Sequence, residues 1–221
     1  MIVCRILKKI IILIILFYLR IYMVNMKLKG FNSIPLHNIQ FKIGDIVLSS
    51  DYKWDRSVIT KLFTGSPWTH MSIVCDIENN NPMVCEYLID GIDYVGNKEN
   101  LIRKIERKCH DHEFLYIPIN FPIDRELLKS SIKSCHKEVT YIENLPGYLS
   151  WVTNRRNEYA PFQCANSLLC ALRNAKVIMN VNRMINVTPG DFINLSKYNY
   201  PDNSIRRYDE PKMITVKPQC M

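Results

Sequence analysis

The sequence predicts an α+β fold in one domain, on three observations. Its 221 residues are 48% hydrophobic and 23% charged, ordinary globular usage and enough apolar material for one sizeable core. Segments 69–77 and 83–89 are β-rich and flank the run Asn79-Asn80-Asn81, the pattern of a hairpin. Strands come first and helices flank them, the element order of an α+β chain. No internal repeat and no Pro- or Gly-rich linker divides the sequence, which holds only seven glycines.

Taken in order, residues 31–43 read as a connecting segment, and Gly44-Asp45-Ile46-Val47-Leu48 as a turn into a short strand. Residues 56–63 suit a turn or two of helix, ended by Thr64-Gly65-Ser66-Pro67. The hairpin of 69–77 and 83–89 follows. Residues 98–108 form a charged amphipathic helix, 114–119 a strand, and 124–138 a helix with Asp124 as its N-cap. A long irregular stretch with two prolines, 141–163, leads to a helix over 164–175. Pro189-Gly190-Asp191-Phe192 starts a short helix, and 213–216 closes the sheet.

The formal net charge is +8, but Arg5, Lys8, Lys9, Arg20, Lys27 and Lys29 lie in the first 29 residues, which contain no acid. About +2 remains for the rest, too little for a phosphate-binding surface, so no nucleic-acid partner is expected. The same basic residues flank the apolar run from Ile10 to Leu19, which continues from Ile21 to Val24. Residues 1–29 therefore read as a signal anchor or membrane segment, which places the protein at a membrane surface. The run is short against the ~20 apolar residues of a spanning helix. Two alternatives stand beside this: a buried element of the domain, or a start of translation at Met23 or Met26, which would leave the segment out.

Eight cysteines occur, at 4, 75, 85, 109, 135, 164, 170 and 220, with no C-x-x-C pair. In a chain with an adequate core they read as small buried hydrophobes rather than a disulfide framework. Cys109-His110-Asp111-His112, with Cys135-His136, offers metal ligands, but the spacing matches no standard zinc module, so no metal and no other cofactor is expected.

Three positions bear reactive chemistry. Period-2 alternation in Trp68-Thr69-His70-Met71-Ser72-Ile73-Val74 puts His70, Ser72 and Val74 on one strand face. Glu86, in Met83-Val84-Cys85-Glu86-Tyr87-Leu88, shares a face with Val84 and Leu88. A hairpin can bring the two together as a base and the carboxylate that fixes its tautomer. Cys164 follows the prolyl segment Ala160-Pro161-Phe162-Gln163 and begins an apolar helix. At a helix N-terminus the macrodipole and free N–H groups favour thiolate and can receive an oxyanion. Singly, each position also fits a plain structural role.

Together, Gly44-Asp45-Ile46-Val47, the stretch from Thr64-Gly65-Ser66-Pro67-Trp68-Thr69-His70 to Val74, Glu86, and Cys164 at the start of an apolar helix resemble the permuted NlpC-type papain-like thiol hydrolases. That superfamily includes the YiiX-like and lecithin retinol acyltransferase-like proteins and members in poxviruses and other large DNA viruses, to which the chain is closest in character. The likeness spans roughly residues 41–195, within a hydrolase domain placed at 41–217. It implies a papain-like core in which a small antiparallel sheet or open barrel packs on the nucleophile helix, with an N-terminal apolar helix outside that core. It also implies Cys164 as nucleophile, His70 as general base and Glu86 as the residue orienting His70. The implied reaction cleaves or transfers an acyl group at an amide or ester, with a peptide, lipid or lipidated protein as substrate. Ala165-Asn166 departs from the acidic or hydroxyl residue that many relatives carry after the cysteine, which bears on substrate analogy. An inactive papain-like binding module, or a membrane-anchored viral structural or virulence protein, is the alternative.

Overall fold

The computed structural model describes residues 30–51, 64–88, 91–95, 100–135, 163–178, 187–197 and 208–216, with scattered positions in 11–24 and 58–61. Seven strands form one open sheet. They are β1 (Asn32–Pro35), β2 (Ile46–Asp51), β3 (His70–Glu78), β4 (Asn81–Leu88), β5 (Gly91–Val95), β6 (His112–Ile117) and β7 (Lys212–Thr215), in the spatial order β1-β7-β6-β2-β3-β4-β5. Among the described residues, three helices with both ends defined accompany them: α1 (Leu101–Lys108), α2 (Arg125–Ser134) and α3 (Gln163–Asn174). Short 3-10 segments lie at Leu36–Asn38 and Pro189–Lys197.

The α+β class holds, and α3 packs on the sheet as expected. The expected small antiparallel sheet needs correcting, because the sheet is wider and mixed: β1 pairs parallel with β7. Residues 32–35, read from sequence as part of a connector, form that edge strand. Strand β5, also unforeseen, extends the hairpin by pairing antiparallel with β4.

The hairpin forms where the asparagines predicted it. Asn79 and Asn80 both take left-handed backbone, at φ 49° and 64°, which matches the twist of a two-residue β-turn. Val74 pairs with Val84 and Ile73 with Cys85, and the register shifts between Val74 and Asp76. Alternation then sorts the side chains. Ile46, Leu48, Met71, Ile73, Cys75, Cys85 and Tyr87 join one buried cluster with Leu128 and Ile132 of α2 and Leu168, Leu169 and Leu172 of α3. Val47, Val74, Val84, Phe114 and Tyr116 face the other way, onto Leu101 and Ile105 of α1. The molecule thus has three layers, with α1 on one side of the sheet and α2 and α3 on the other.

Asp124 caps α2 by accepting from the Leu127 N–H at 3.0 Å, as its position predicted, and Asn100 caps α1 through Arg103 N–H at 2.8 Å. At the far end of α2 the free Ile132 carbonyl accepts from the Tyr87 hydroxyl at 2.8 Å. The entry to β2 is fixed by Gly44 and Asp45. Gly44 has φ 94°, and a Cβ there would meet Ile123 Cδ1 at 2.2 Å. Asp45 is fully buried and accepts from Lys42 N–H, Tyr116 O–H and Ile119 N–H at 2.6, 2.8 and 2.8 Å.

Residues 56–63 are helical at 58, 60 and 61; their other positions, and the 141–162 stretch, lie outside the described residues. So does most of 1–29. The described positions there are helical and expose Ile11, Ile12, Ile15, Leu16, Leu19 and Met23. Among the described residues no helix is long and apolar enough to cross a membrane.

Burial pushes the Asp45 carboxyl up to about 6, against the hydrogen bonds it accepts. A carboxyl whose folded pKa exceeds its unfolded value of 3.8 stabilises the fold when protonated, so this contribution is lost as pH rises through about 6. Asp45→Asn has no such titration. The melting temperature of the native protein relative to that variant is expected to be higher at pH 5 than at pH 7, measured by calorimetry on both.

Candidate active site

His70 opens β3 and Glu86 lies in the middle of β4. The register sets Ser72 opposite Glu86, with His70 one pair further along the same face. His70 Nε2 lies 3.0 Å from Glu86 Oε2. The other oxygen, Oε1, accepts from the Ser72 hydroxyl at 2.5 Å and from the Lys104 ammonium, which reaches over from α1. The Glu86 side chain is 5% exposed and that of His70 30%, so the carboxylate is covered while the imidazole keeps an open side.

The electrostatics follow from this packing. Burial acts to raise the Glu86 carboxyl. The hydrogen bond and charge of His70, then Lys104, outweigh it and hold the group far below the ordinary carboxylate range. An ionised Glu86 can only accept, so His70 carries its proton on Nε2 and leaves Nδ1 free to take one. The pairing of His70 with Glu86 is as the alternation predicted. Ser72 and Lys104 are additions. Ser72 could have been suspected from its place on the His70 face, whereas Lys104 gave no local signal, since helix α1 meets the strand only through the fold.

Cys164 occupies the first turn of α3, partly buried against the larger apolar cluster. The N–H groups of Ala165 and of Cys164 itself point at the sulfur and lower its pKa. They do not win. Burial is the larger effect and, with the nearby charge of Glu86 adding to it, pushes the thiol up to about 11. The helix start thus acts on the thiol in the expected sense, and burial opposes it with the larger effect. Among the described residues no hydrogen bond joins its sulfur to His70. The structure brings His70 and Glu86 into contact and sets Cys164 within reach of the Glu86 field.

A second set of contacts ties the Cys164 helix to the loop before His70. Asn166 takes the backbone of Val187 from both sides: Val187 N–H donates to Oδ1 at 3.2 Å, and Nδ2 donates to Val187 C=O at 3.5 Å. Thr188 N–H and hydroxyl then donate to Asp191 Oδ2 at 2.7 and 2.9 Å. Gly190 lies so close to Ser66 that a Cβ would meet Oγ at 2.1 Å. Ser66 Oγ in turn accepts from Trp68 N–H at 3.2 Å. Asn166 thus joins α3 to this loop.

No protein-family model matches the chain, and no curated protein matches it. Among solved structures it is similar to the crystal structure of the metalloprotein yiiX from Escherichia coli O157:H7. The two are 16% identical with a TM-score of 0.40, covering 82% of this chain and 91% of that one.

Other sequence candidates resolve differently. Trp68 is fully buried in the main core, edge-on to Phe31 at 6.4 Å. Cys109 donates to Glu106 C=O at 3.0 Å, His110 is exposed, and His112 stacks on Phe114 with Asp51 at 3.8 Å. Among the described residues no group of three or more His, Cys, Asp or Glu could hold a metal ion.

Lys104→Met leaves Glu86 buried with one cation fewer. A loss of about 1–3 kcal/mol is expected at neutral pH, because His70 and Ser72 remain. A carboxyl with a depressed folded pKa stabilises above its unfolded value of 4.5 and loses that contribution only as pH falls through its folded value, far below 4.5. The gap between the two proteins should accordingly persist from pH 7 to about pH 4 and close only in strong acid, read by urea denaturation at pH 7, pH 4 and the lowest pH at which the native protein stays folded.

Proposed function

We propose that the protein is a cysteine-dependent hydrolase or acyltransferase working through a thioester acyl-enzyme. Cys164 is the nucleophile, His70 the general base through Nδ1, and Glu86 the carboxylate that orients His70 and balances its imidazolium form. The observation that supports this most is the 3.0 Å contact between His70 Nε2 and a buried, ionised Glu86. A covered carboxylate held beside a half-open imidazole is costly to build, and it leaves the outer ring nitrogen able to accept a proton. The resemblance of the Thr64–Val74 stretch to the permuted papain-like hydrolases supports the same roles.

Because Cys164 rests as a thiol, its proton leaves as attack begins: Cys164 Sγ–H transfers to His70 Nδ1 while sulfur bonds the acyl carbon. The N–H groups at the start of α3 receive the developing oxyanion. The imidazolium then gives its proton to the departing amine or alcohol, and water or another acceptor releases the acyl group. Among the described residues no hydrogen bond joins Cys164 to His70 at rest, so approach of the sulfur to His70 accompanies substrate binding. The apolar segment at 10–24 with its basic flanks supports an acyl group at a membrane, on a lipid or lipidated protein, ahead of a free peptide.

The neutral thiol, unbonded to His70, equally favours a second reading, a papain-like binding module without turnover. Acetylation by p-nitrophenyl acetate separates the two. The active enzyme gives a burst of p-nitrophenol with the acetyl group on Cys164; Cys164→Ser abolishes it, and His70→Ala slows it roughly 10²-fold or more. A rate unchanged by His70→Ala, or label spread evenly over the cysteines, would establish the binding module.

The membrane reading has its own test. Deleting residues 1–26 should release the protein from anionic liposomes in a flotation assay, and continued flotation would refute it.

A further inference from the structure

Outside the proposed site, two thiols meet on the face of α3 turned toward α2. Cys135 is the C-cap of α2, partly buried, and Cys170 lies on α3, exposed. Asn174, one turn beyond Cys170, donates from a single nitrogen to both sulfurs, 3.1 Å to Cys135 and 3.9 Å to Cys170. Burial, and after it the neighbouring Cys170 thiol, raises the Cys135 thiol. Two sulfurs gathered on one amide nitrogen are near neighbours, and an S–S bond of ~2.05 Å requires them to close on each other. The remaining described cysteines offer no such pair. Cys75 and Cys85 are buried inside the sheet–helix core, and Cys109 is turned to the Glu106 carbonyl.

We propose that Cys135 and Cys170 form a redox-responsive pair which, on meeting a small-molecule disulfide such as oxidised glutathione, closes into a disulfide joining α2 to α3. Exposed Cys170 reacts first. Its thiolate attacks one sulfur of glutathione disulfide, the S–S bond breaks, and one glutathione leaves as thiol. Cys135, already in contact, then gives up its proton and attacks the Cys170 sulfur of the mixed disulfide, expelling the second glutathione thiol. Two protein thiols are oxidised and one external disulfide is reduced to two thiols, so atoms and electrons balance. The crosslink leaves His70 and Glu86 untouched. It fixes the helix that begins at Cys164, about 9 Å along its axis from the crosslinked position, and does not depend on whether Cys164 is catalytic.

The test treats the full chain with oxidised glutathione and maps its cysteines by peptide mass spectrometry. The expected product has lost two hydrogens, carries a Cys135–Cys170 linked peptide, and melts on the order of 5–10 °C higher, reverting with dithiothreitol. Cys135→Ser should trap glutathione on Cys170, and Cys170→Ser should leave Cys135 unmodified. A stable glutathione adduct on Cys170 of the unmutated chain would overturn the proposal. So would a link from either residue to another cysteine, or both thiols remaining free while Cys164 is modified.

Discussion

One carboxylate, Glu86, is buried on an apolar sheet face and kept charged. Taking it out of water costs several kcal/mol unless it is matched by partners in good geometry. Three elements supply them: His70 and Ser72 from the neighbouring strand, and Lys104 from α1. The hairpin register must therefore be held to the residue, since a slip of one would send Glu86 into the larger hydrophobic cluster. The left-handed Asn79-Asn80 turn holds it at one end. At the other side Gly44 N–H donates to Val74 C=O at 2.7 Å, and Val74 N–H to Asp45 C=O at 2.8 Å, beside the bulge. Position α1 wrongly and the carboxylate loses a cation; shift β3 and it loses its histidine.

Glu86 acts on the two reactive groups in opposite senses. It favours a proton on His70 Nε2, which directs Nδ1 outward. The same negative charge, together with burial, discourages ionisation of Cys164. The imidazole thus keeps an acceptor nitrogen while the thiol is discouraged from ionising. A thiol kept protonated resists adventitious oxidation and metal capture, both of which need thiolate.

Local patterns were legible in the sequence, while contacts between distant segments were not. Alternation alone placed His70, Ser72 and Val74 on one face and Met71, Ile73 and Cys75 on the other, and the asparagine run marked the hairpin. Asp124 announced its helix. Strand β1, with its proline and two polar residues, gives no strand pattern; it exists because β7, from the opposite end of the described chain, offers it a parallel partner. Lys104 looked like one charge among many on an amphipathic helix. For Cys164 the helix N-terminus is visible in sequence and the burial that opposes it is not.

Gly190 and Ser66 occupy one volume between them. Their contact sits in the line of bonds that runs from Asn166 on α3 through Val187 and Thr188 to the loop entering β3. Any side chain added at 190 must displace that loop, and with it the spacing between the Cys164 helix and His70. The two positions are therefore not free to drift separately over generations: bulk gained at one must be surrendered at the other, and descendants of this sequence should change them together or leave both alone.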